Sequence, residues 1–300
     1  MLITGFAGFV GRHISEYLAS LGESIVIIGT DIVGPSSTNC DSFYKMDLSC
    51  PDKVAELIDQ TKPDYIIHLA GTFGTQDSMQ IYKVNVLCIA VLLEAVRVHA
   101  PDVVMLTIGS AAEYGHIRPS ELPVNEQIPC QPITPYGLSK LLATQVALYH
   151  HRVHGICTII VRPFQLIGKH LTSRLAPGAF ADQLKQALDK DLKVVKVGNL
   201  ESFRDFLDIR DAVEAIWSLC LNPAPGEIYN LCSGRPTKIA DLFQMMTELC
   251  GVNVRVEVDP ALLRGAADIS KVYGSYQKIK THCGWQPKIN LEQSLQAMFR

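Results

Sequence analysis

Two kinds of apolar pattern divide the chain. In the first half, short runs of consecutive apolar residues alternate with longer stretches in which apolar residues return every third or fourth position. Met1–Thr4 and Ser24–Thr30 are brief, apolar and β-branched, and read as strands buried on both faces. Between them Val10, Ile14, Tyr17, Leu18 and Leu21 fall on one helical face. Tyr65–Ala70 and Val103–Ile108 repeat the strand signal, and Asp52–Thr61 and Tyr82–Ala100 the helical one. A helix is predicted over Tyr136–His154 and a strand over Ile156–Arg162. Alternating strands and helices predict a parallel sheet covered on both faces, and right-handed crossovers make it a doubly wound α/β fold.

Beyond Pro163 the regularity loosens. Glycine and proline become frequent, at Gly168, Pro177-Gly178 and Pro223 to Gly226. Helical patterns at Ala179–Asp189, Asp211–Leu221, Ile239–Cys250 and Leu291–Phe299 are joined by strand-like runs such as Lys193–Val197. The chain is therefore read as a first domain over 1–163, to which a segment of about 205–232 returns, and a smaller mixed α/β lobe over 164–300 that meets the substrate.

Hydrophobic residues make up 48% of the chain and charged ones 19%, enough for an ordinary core without cross-links. The formal net charge of −3 argues against nucleic acid as a partner. The opening Met1-Leu2-Ile3-Thr4-Gly5 lacks the basic and apolar stretches of a signal peptide, and no apolar run approaches a membrane span. A cytoplasmic protein without a membrane partner is expected. The 9 cysteines, from Cys40 to Cys283, include no Cys-x-x-Cys pair and read as reduced thiols; no metal ligand is assigned.

At the first strand–helix junction stands Thr4-Gly5-Phe6-Ala7-Gly8-Phe9-Val10-Gly11. Glycine there permits a sharp turn, a close approach of backbone to pyrophosphate, and tight packing of helix on strand. The helix N-terminus supplies N–H groups and a positive dipole end. The spacing departs from the Gly-x-Gly-x-x-Gly fingerprint, but the position is the same. Gly5, Gly8 and Gly11, with Phe6, Phe9 and Val10 among them, are candidate cofactor contacts, and the first domain is read as a Rossmann domain. Asp31 ends the second strand, and a carboxylate there accepts from ribose hydroxyls and repels a 2′-phosphate. NAD(H) is therefore expected over NADP(H), which stays possible; the alternative for Asp31 is a solvated turn acid. Asp47 and Leu48 are candidates for the adenine, with a helix-start acid as the other reading of Asp47.

Tyr136-Gly137-Leu138-Ser139-Lys140 puts tyrosine and lysine at i and i+4 on one helix face. A nearby ammonium favours tyrosinate, so the tyrosine pKa is expected to fall toward working pH. The spacing recurs at Tyr276 and Lys280, read as a surface helix pair. Only Tyr136 has a hydroxyl, Ser110, upstream at the C-terminal end of a predicted strand, the end where open parallel sheets bind ligands. Ser110 is expected to hydrogen-bond the substrate oxygen that Tyr136 protonates.

Taken in order, the glycine loop, His68-Leu69-Ala70-Gly71, Asn85, Ile108-Gly109-Ser110, Glu113-Tyr114-Gly115, Tyr136-x-x-x-Lys140 and Arg162-Pro163-Phe164 resemble the extended short-chain dehydrogenases/reductases of the NAD-dependent epimerase/dehydratase family, which act on nucleotide sugars. The resemblance covers essentially the whole chain. It implies Ser110, Tyr136 and Lys140 as the catalytic set, with Tyr136 and Lys140 also at the cofactor beside Gly5, Gly8, Gly11, Asp31, Leu69 and Ala70. It implies a nucleotide sugar as the small-molecule partner. It further implies a homodimer through the helices Tyr82–Ala100 and Tyr136–His154, where Leu87, Val91, Leu142 and Val146 offer apolar side chains. Asn85 carries over or is a helix-start polar residue; His68 reads as a satisfied core histidine.

A narrower resemblance, over Lys196 to Asp211, is to a block shared by GDP-mannose 4,6-dehydratases and GDP-4-keto-6-deoxy-D-mannose reductases. It implies substrate contacts at Asn199 and Arg204, with Arg264 as a second diphosphate-binding arginine, Gln165 at the diphosphate, and Ser110 and Ala111 on the sugar side. The other reading of Arg204 is an Arg–Asp network between lobes. Gln165 stands where the family has asparagine, and Lys169 to Pro177 departs from the reductase pattern. Dehydratases of the family carry a carboxylate pair after the residue matching Ser110; here Ala111 and Ala112 follow, and Glu113 reads as a structural partner in the Tyr114-Gly115 turn. The implied activity is NAD(P)H-dependent reduction of the C4 keto group of a nucleotide sugar, GDP-4-keto-6-deoxy-D-mannose to GDP-D-rhamnose. A 4-epimerase with retained NAD is the runner-up, and a nucleotide-sensing module without turnover is the reading from another class.

Overall fold

A strand that is apolar on consecutive positions needs cover on both faces, and helices supply it. The computed structural model describes residues 1–22, 24–35, 39–75, 77–190, 193–263, 265 and 268–299. In chain order its elements are β1 (Leu2–Thr4), α1 (Phe9–Ser20), β2 (Ile28–Asp31), β3 (Ser42–Lys45), α2 (Pro51–Thr61), β4 (Tyr65–His68), α3 (Ser78–Tyr82), a π-helical turn (Lys83–Leu87), α4 (Cys88–His99), β5 (Val104–Ile108), α5 (Pro135–His154), β6 (Cys157–Pro163), β7 (Gln165–Ile167), α6 (Ala176–Lys190), β8 (Val194–Val197), β9 (Phe203–Asp208), α7 (Ile209–Leu221), β10 (Ile228–Leu231), β11 (Pro236–Lys238), α8 (Ile239–Cys250), β12 (Arg255–Val258), α9 (Gln277–Cys283) and α10 (Leu291–Phe299).

Seven strands form one sheet in the order β3-β2-β1-β4-β5-β6-β10, every neighbouring pair parallel. Strand order reverses between β1 and β4, so the crevice of this doubly wound Rossmann sheet opens above their carboxyl ends. One face is covered by α1 and α7, with Ile14, Leu18, Ile216 and Trp217 in the core. The other is covered by α2, α4 and α5, with Leu57, Ile89, Leu92 and Ala147. β9 pairs with β7 and β11 in a three-stranded sheet, and α6, α8 and α10 pack there around Phe180, Leu184, Leu242, Phe243 and Leu295.

Two elements differ from the sequence reading. The strand expected over Ser24–Thr30 pairs only from Ile28, because β1 offers three residues and the Ile27 N–H is taken by the Asp41 carboxylate at 2.7 Å. The long helix expected from Tyr82 begins at Ser78, where the Asp77 side chain accepts from Met79 and Gln80 N–H groups, and passes through the π-helical turn before α4. No helix among the described residues is long and apolar enough to cross a membrane. All nine cysteines are free thiols.

Candidate active site

The glycine loop is a backbone cradle. Gly5 has φ +67°, and a Cβ on it would stand 2.6 Å from the Ala70 amide nitrogen. A Cβ on Gly11 would stand 2.5 Å from the Gly5 and Phe6 carbonyl oxygens. α1 starts at Gly8 with no side-chain cap and no acidic residue in its first turn, so its N–H groups and positive dipole end can serve an anion. These features fit the pyrophosphate of a dinucleotide. Phe9 and Val10 lie in that first turn, partly buried against the core. The Phe6 side chain is fully buried, edge-on to Phe43, so only its backbone belongs to the loop surface. Leu48 is likewise a core side chain.

Asp31 does more than end β2. One of its oxygens accepts from the Ala7 N–H at 3.0 Å and the other from the Ile32 N–H at 2.7 Å. It braces the glycine loop while staying half-exposed at the crevice. Asp47, two residues beyond β3, accepts from the Ser49 N–H at 2.9 Å and faces Lys83 at 3.8 Å. Hydrogen bonds from Ser49 hold its carboxyl below the usual range.

The segment after β4 touches both the loop and the tyrosine helix. Leu69 donates to the Thr4 carbonyl, and Ala70 to the Thr4 hydroxyl at 3.3 Å. A Cβ on Gly71 would stand 3.2 Å from Lys140 Nζ and 3.3 Å from Asn85 Oδ1. Asn85 is buried in the π-helical turn; it exchanges hydrogen bonds with the Thr72 backbone and donates to Ser139 Oγ at 2.8 Å. A helix with one extra residue per turn at this point turns Asn85 inward, which helical periodicity alone does not reveal. His68 is buried against the Thr4 hydroxyl at 2.8 Å, and burial pushes its pKa down to about 3, so it is neutral.

The structure brings Ser110, Tyr136 and Lys140 together. Thr134 caps α5 by accepting from the Gly137 N–H, with Pro135 in the first turn, so Tyr136 and Lys140 share the helix face toward the end of β5. The Ser110 hydroxyl stands close enough to the Tyr136 phenol to favour its ionised form. Phe73 stands edge-on to the Tyr136 ring at 6.2 Å. Lys140 is 8% exposed and donates to the Ile108 carbonyl at 2.9 Å. Burial brings its pKa down to about 8, against the pull of the Glu113 charge. The expected lowering of the Tyr136 pKa is corrected: burial pushes it up, the Ser110 hydroxyl opposes this, and the Glu113 charge adds to it. Desolvation by burial is the largest influence on the phenol.

Glu113 is the residue whose importance the sequence understated. The chain does not continue as a strand after Ser110 but turns into a 3-10 helix, Ala111–Glu113. Ser110 and Glu113 form a capping box, and the signal for it was present as Ser-x-x-Glu. Fully buried, Glu113 accepts from the Ser110 N–H at 2.8 Å, the Thr144 hydroxyl at 3.1 Å and Arg162 Nε at 2.9 Å. Gly109 has room for no Cβ, which would meet the Glu113 carboxylate at 2.3 Å. Ala111 packs on the cluster of Tyr114, Val124, Phe164 and Cys232.

In the second lobe, Asn199 Nδ2 donates to one Asp268 oxygen at 2.6 Å, and Arg204 donates to the other at 3.0 Å and to the Ile269 carbonyl at 2.6 Å. Gln165 is exposed on β7. No hydrogen bond links Gln165, Asn199 or Arg204 to Ser110 or Tyr136 among the described residues. Arg264 lies outside the described residues. Tyr276, read as a surface residue, is half-buried before α9, edge-on to Trp285 at 6.3 Å.

The chain is similar to known proteins. Residues 1–232 match the family described as the NAD dependent epimerase/dehydratase family. A GDP-6-deoxy-D-mannose reductase of Pseudomonas aeruginosa is 30% identical over 305 residues, covering 99% of this chain and 95% of that protein. A putative UDP-glucose 4-epimerase of Methanocaldococcus jannaschii is 27% identical, covering 98% of this chain and 95% of that protein. The solved structure of RMD from Pseudomonas aeruginosa complexed with NADPH superposes with a TM-score of 0.87 at 28% identity, over 99% of this chain and 97% of the other.

Proposed function

The chain belongs to the NAD-dependent epimerase/dehydratase family, and on that premise we propose that it reduces the C4 keto group of a nucleotide sugar, GDP-4-keto-6-deoxy-D-mannose to GDP-D-rhamnose. One observation carries the choice of reaction. The Ser110 hydroxyl stands beside Tyr136 at the head of α5, the two residues after Ser110 are Ala111 and Ala112, and the Glu113 carboxylate is locked by Arg162. Dehydration needs a carboxylate pair to take a C5 proton and expel the C6 hydroxyl. Delivery of one proton to a C4 oxygen needs only Tyr136. The 30% identity to a GDP-6-deoxy-D-mannose reductase over nearly its full length supports the same substrate class.

When bound, NAD(P)H supplies the hydrogen and electron pair that reduce C4. Tyr136, kept protonated by its raised pKa, gives its proton to the C4 oxygen. Ser110 hydrogen-bonds that oxygen as charge develops on it. Lys140 stabilises the tyrosinate left behind. The N–H groups of α1 would hold the pyrophosphate, Leu69 and Ala70 would line the cofactor, and Asp47 and Leu48 would serve its adenine side. Asp31 takes the ribose hydroxyls and repels a 2′-phosphate, so NADH is the preferred reductant. Asn199 and Arg204, drawn together by Asp268, form the nucleotide end of the substrate site, with Gln165 at the diphosphate and Ala111 nearer the sugar. A second reading, 4-epimerisation with retained NAD, is favoured by Asp31 and by the 27% identity to a putative UDP-glucose 4-epimerase.

The test is by mass. Incubated with GDP-4-keto-6-deoxy-D-mannose, the protein adds two hydrogens, faster with NADH than with NADPH; GDP-mannose alone is unchanged. Loss of water from GDP-mannose, or no reduction with either cofactor, refutes the reading. Interconversion of UDP-glucose and UDP-galactose selects the epimerase.

The same reading includes a homodimer through α4, with the π-helical turn before it, and α5; Leu87 in that turn and Leu142 on α5 are 46% and 41% exposed. Val91 and Val146 are partly buried against the core of their own chain and contribute less. Light scattering at micromolar concentration should give twice 33.0 kDa; a monomer mass refutes it.

A further inference from the structure

On α5, well away from the crevice, His150 and His154 stand one helical turn apart, and Glu94 reaches them from α4. One ligand atom from each lies within 4.8 Å of the others. His150 is 4% exposed, and no hydrogen bond engages its ring among the described residues. Its Nε2 stands 3.6 Å from Glu94 Oε1. That is too long for a hydrogen bond. It is close to the spacing of two donors on one tetrahedral ion, about 3.3 Å for bonds of about 2.0 Å. The other oxygen of Glu94 is already held, since Arg97 Nε donates to Oε2 at 2.9 Å. An outer contact of this kind orients a ligating carboxylate and leaves Oε1 turned to the imidazole. The two imidazoles are 5.3 Å apart between ring centres.

We propose that Glu94, His150 and His154 bind a divalent transition-metal ion of the zinc type and clamp α4 to α5. Two imidazoles and one carboxylate suit Zn²⁺ and its neighbours better than Mg²⁺ or Ca²⁺, which prefer oxygen donors. Three protein ligands leave a fourth position for water. His150 lies fourteen residues beyond Tyr136 on the same helix, about 21 Å at 1.5 Å per residue. The site is therefore separate from the reaction centre, and its role is to tie together the two helices that carry Tyr136 and follow Asn85.

Titration of the full chain with Zn²⁺ in a non-chelating buffer should give one ion per chain. Co²⁺ in its place should show the visible absorption of a tetrahedral site. The Tm should rise with Zn²⁺ and return with EDTA. His154→Ala and Glu94→Gln change exposed side chains and should keep the wild-type circular dichroism, yet weaken Zn²⁺ at least about ten-fold and abolish the Tm response. If either variant binds Zn²⁺ as the wild type does, or if the wild type binds well below one equivalent with no Tm response, the ion is adventitious and the proposal fails.

Discussion

Replacing Lys140 with methionine should separate stability from activity in a way that depends on pH. Lys140 is 8% exposed and its pKa is brought down to about 8 by burial. In the unfolded chain a lysine titrates near 10.5. Below about 8 both folded and unfolded chains carry the proton, and the fold bears the whole cost of the buried ammonium, on the order of 3 kcal/mol at about 1.4 kcal/mol per pKa unit. Between about 8 and 10.5 only the unfolded chain is protonated, so stability rises with pH. Above 10.5 the effect is spent. Integrated from about pH 7 to 9.5, the wild type gains about 2 kcal/mol from this one group. Lys140→Met keeps the length of the side chain and removes the titration. It also removes the bond to the Ile108 carbonyl, whose change as the ammonium loses its proton is already contained in the folded-state pKa. Urea denaturation of both proteins at the two pH values, without added nucleotide, measures the effect. The gap between them should shift by about 2 kcal/mol in favour of the wild type at the higher pH, while the variant loses turnover throughout. Parallel curves would show that the ammonium is not desolvated and would overturn the reasoning.

Tyr136→Phe removes the proton donor and little volume, so it should bind cofactor normally and lose turnover by roughly 10²–10⁴-fold; Tyr276→Phe, at the matching spacing elsewhere, should be nearly silent, and comparable activities of the two variants would rule out Tyr136 as the acid. Glu113→Gln leaves the buried Arg162 without its counter-charge and should cost about 3 kcal/mol of stability by chemical denaturation. A cost under about 1 kcal/mol would mean that the pair is not desolvated.

Much of the framework was legible in the chain. Consecutive apolar residues at Tyr65–His68 and Val104–Ile108 mark strands that must be covered on both faces, and Gly5 and Gly11 mark backbone that no side chain can enter. The i, i+4 spacing of Tyr136 and Lys140 fixes their shared face because a helix repeats every 3.6 residues. Such signals need only neighbours along the chain. The tertiary structure decided what those residues experience. It turned Phe6 and Leu48 into core side chains, set Asp31 to bracing the glycine loop, and reversed the expected shift of Tyr136. It locked Glu113 to Arg162, forty-nine residues away, and Asn85 to Ser139, fifty-four away. It also put Glu94 beside two histidines of another helix. Desolvation and the identity of a partner depend on atoms brought within a few ångströms by the fold, and a residue's periodicity carries no record of them.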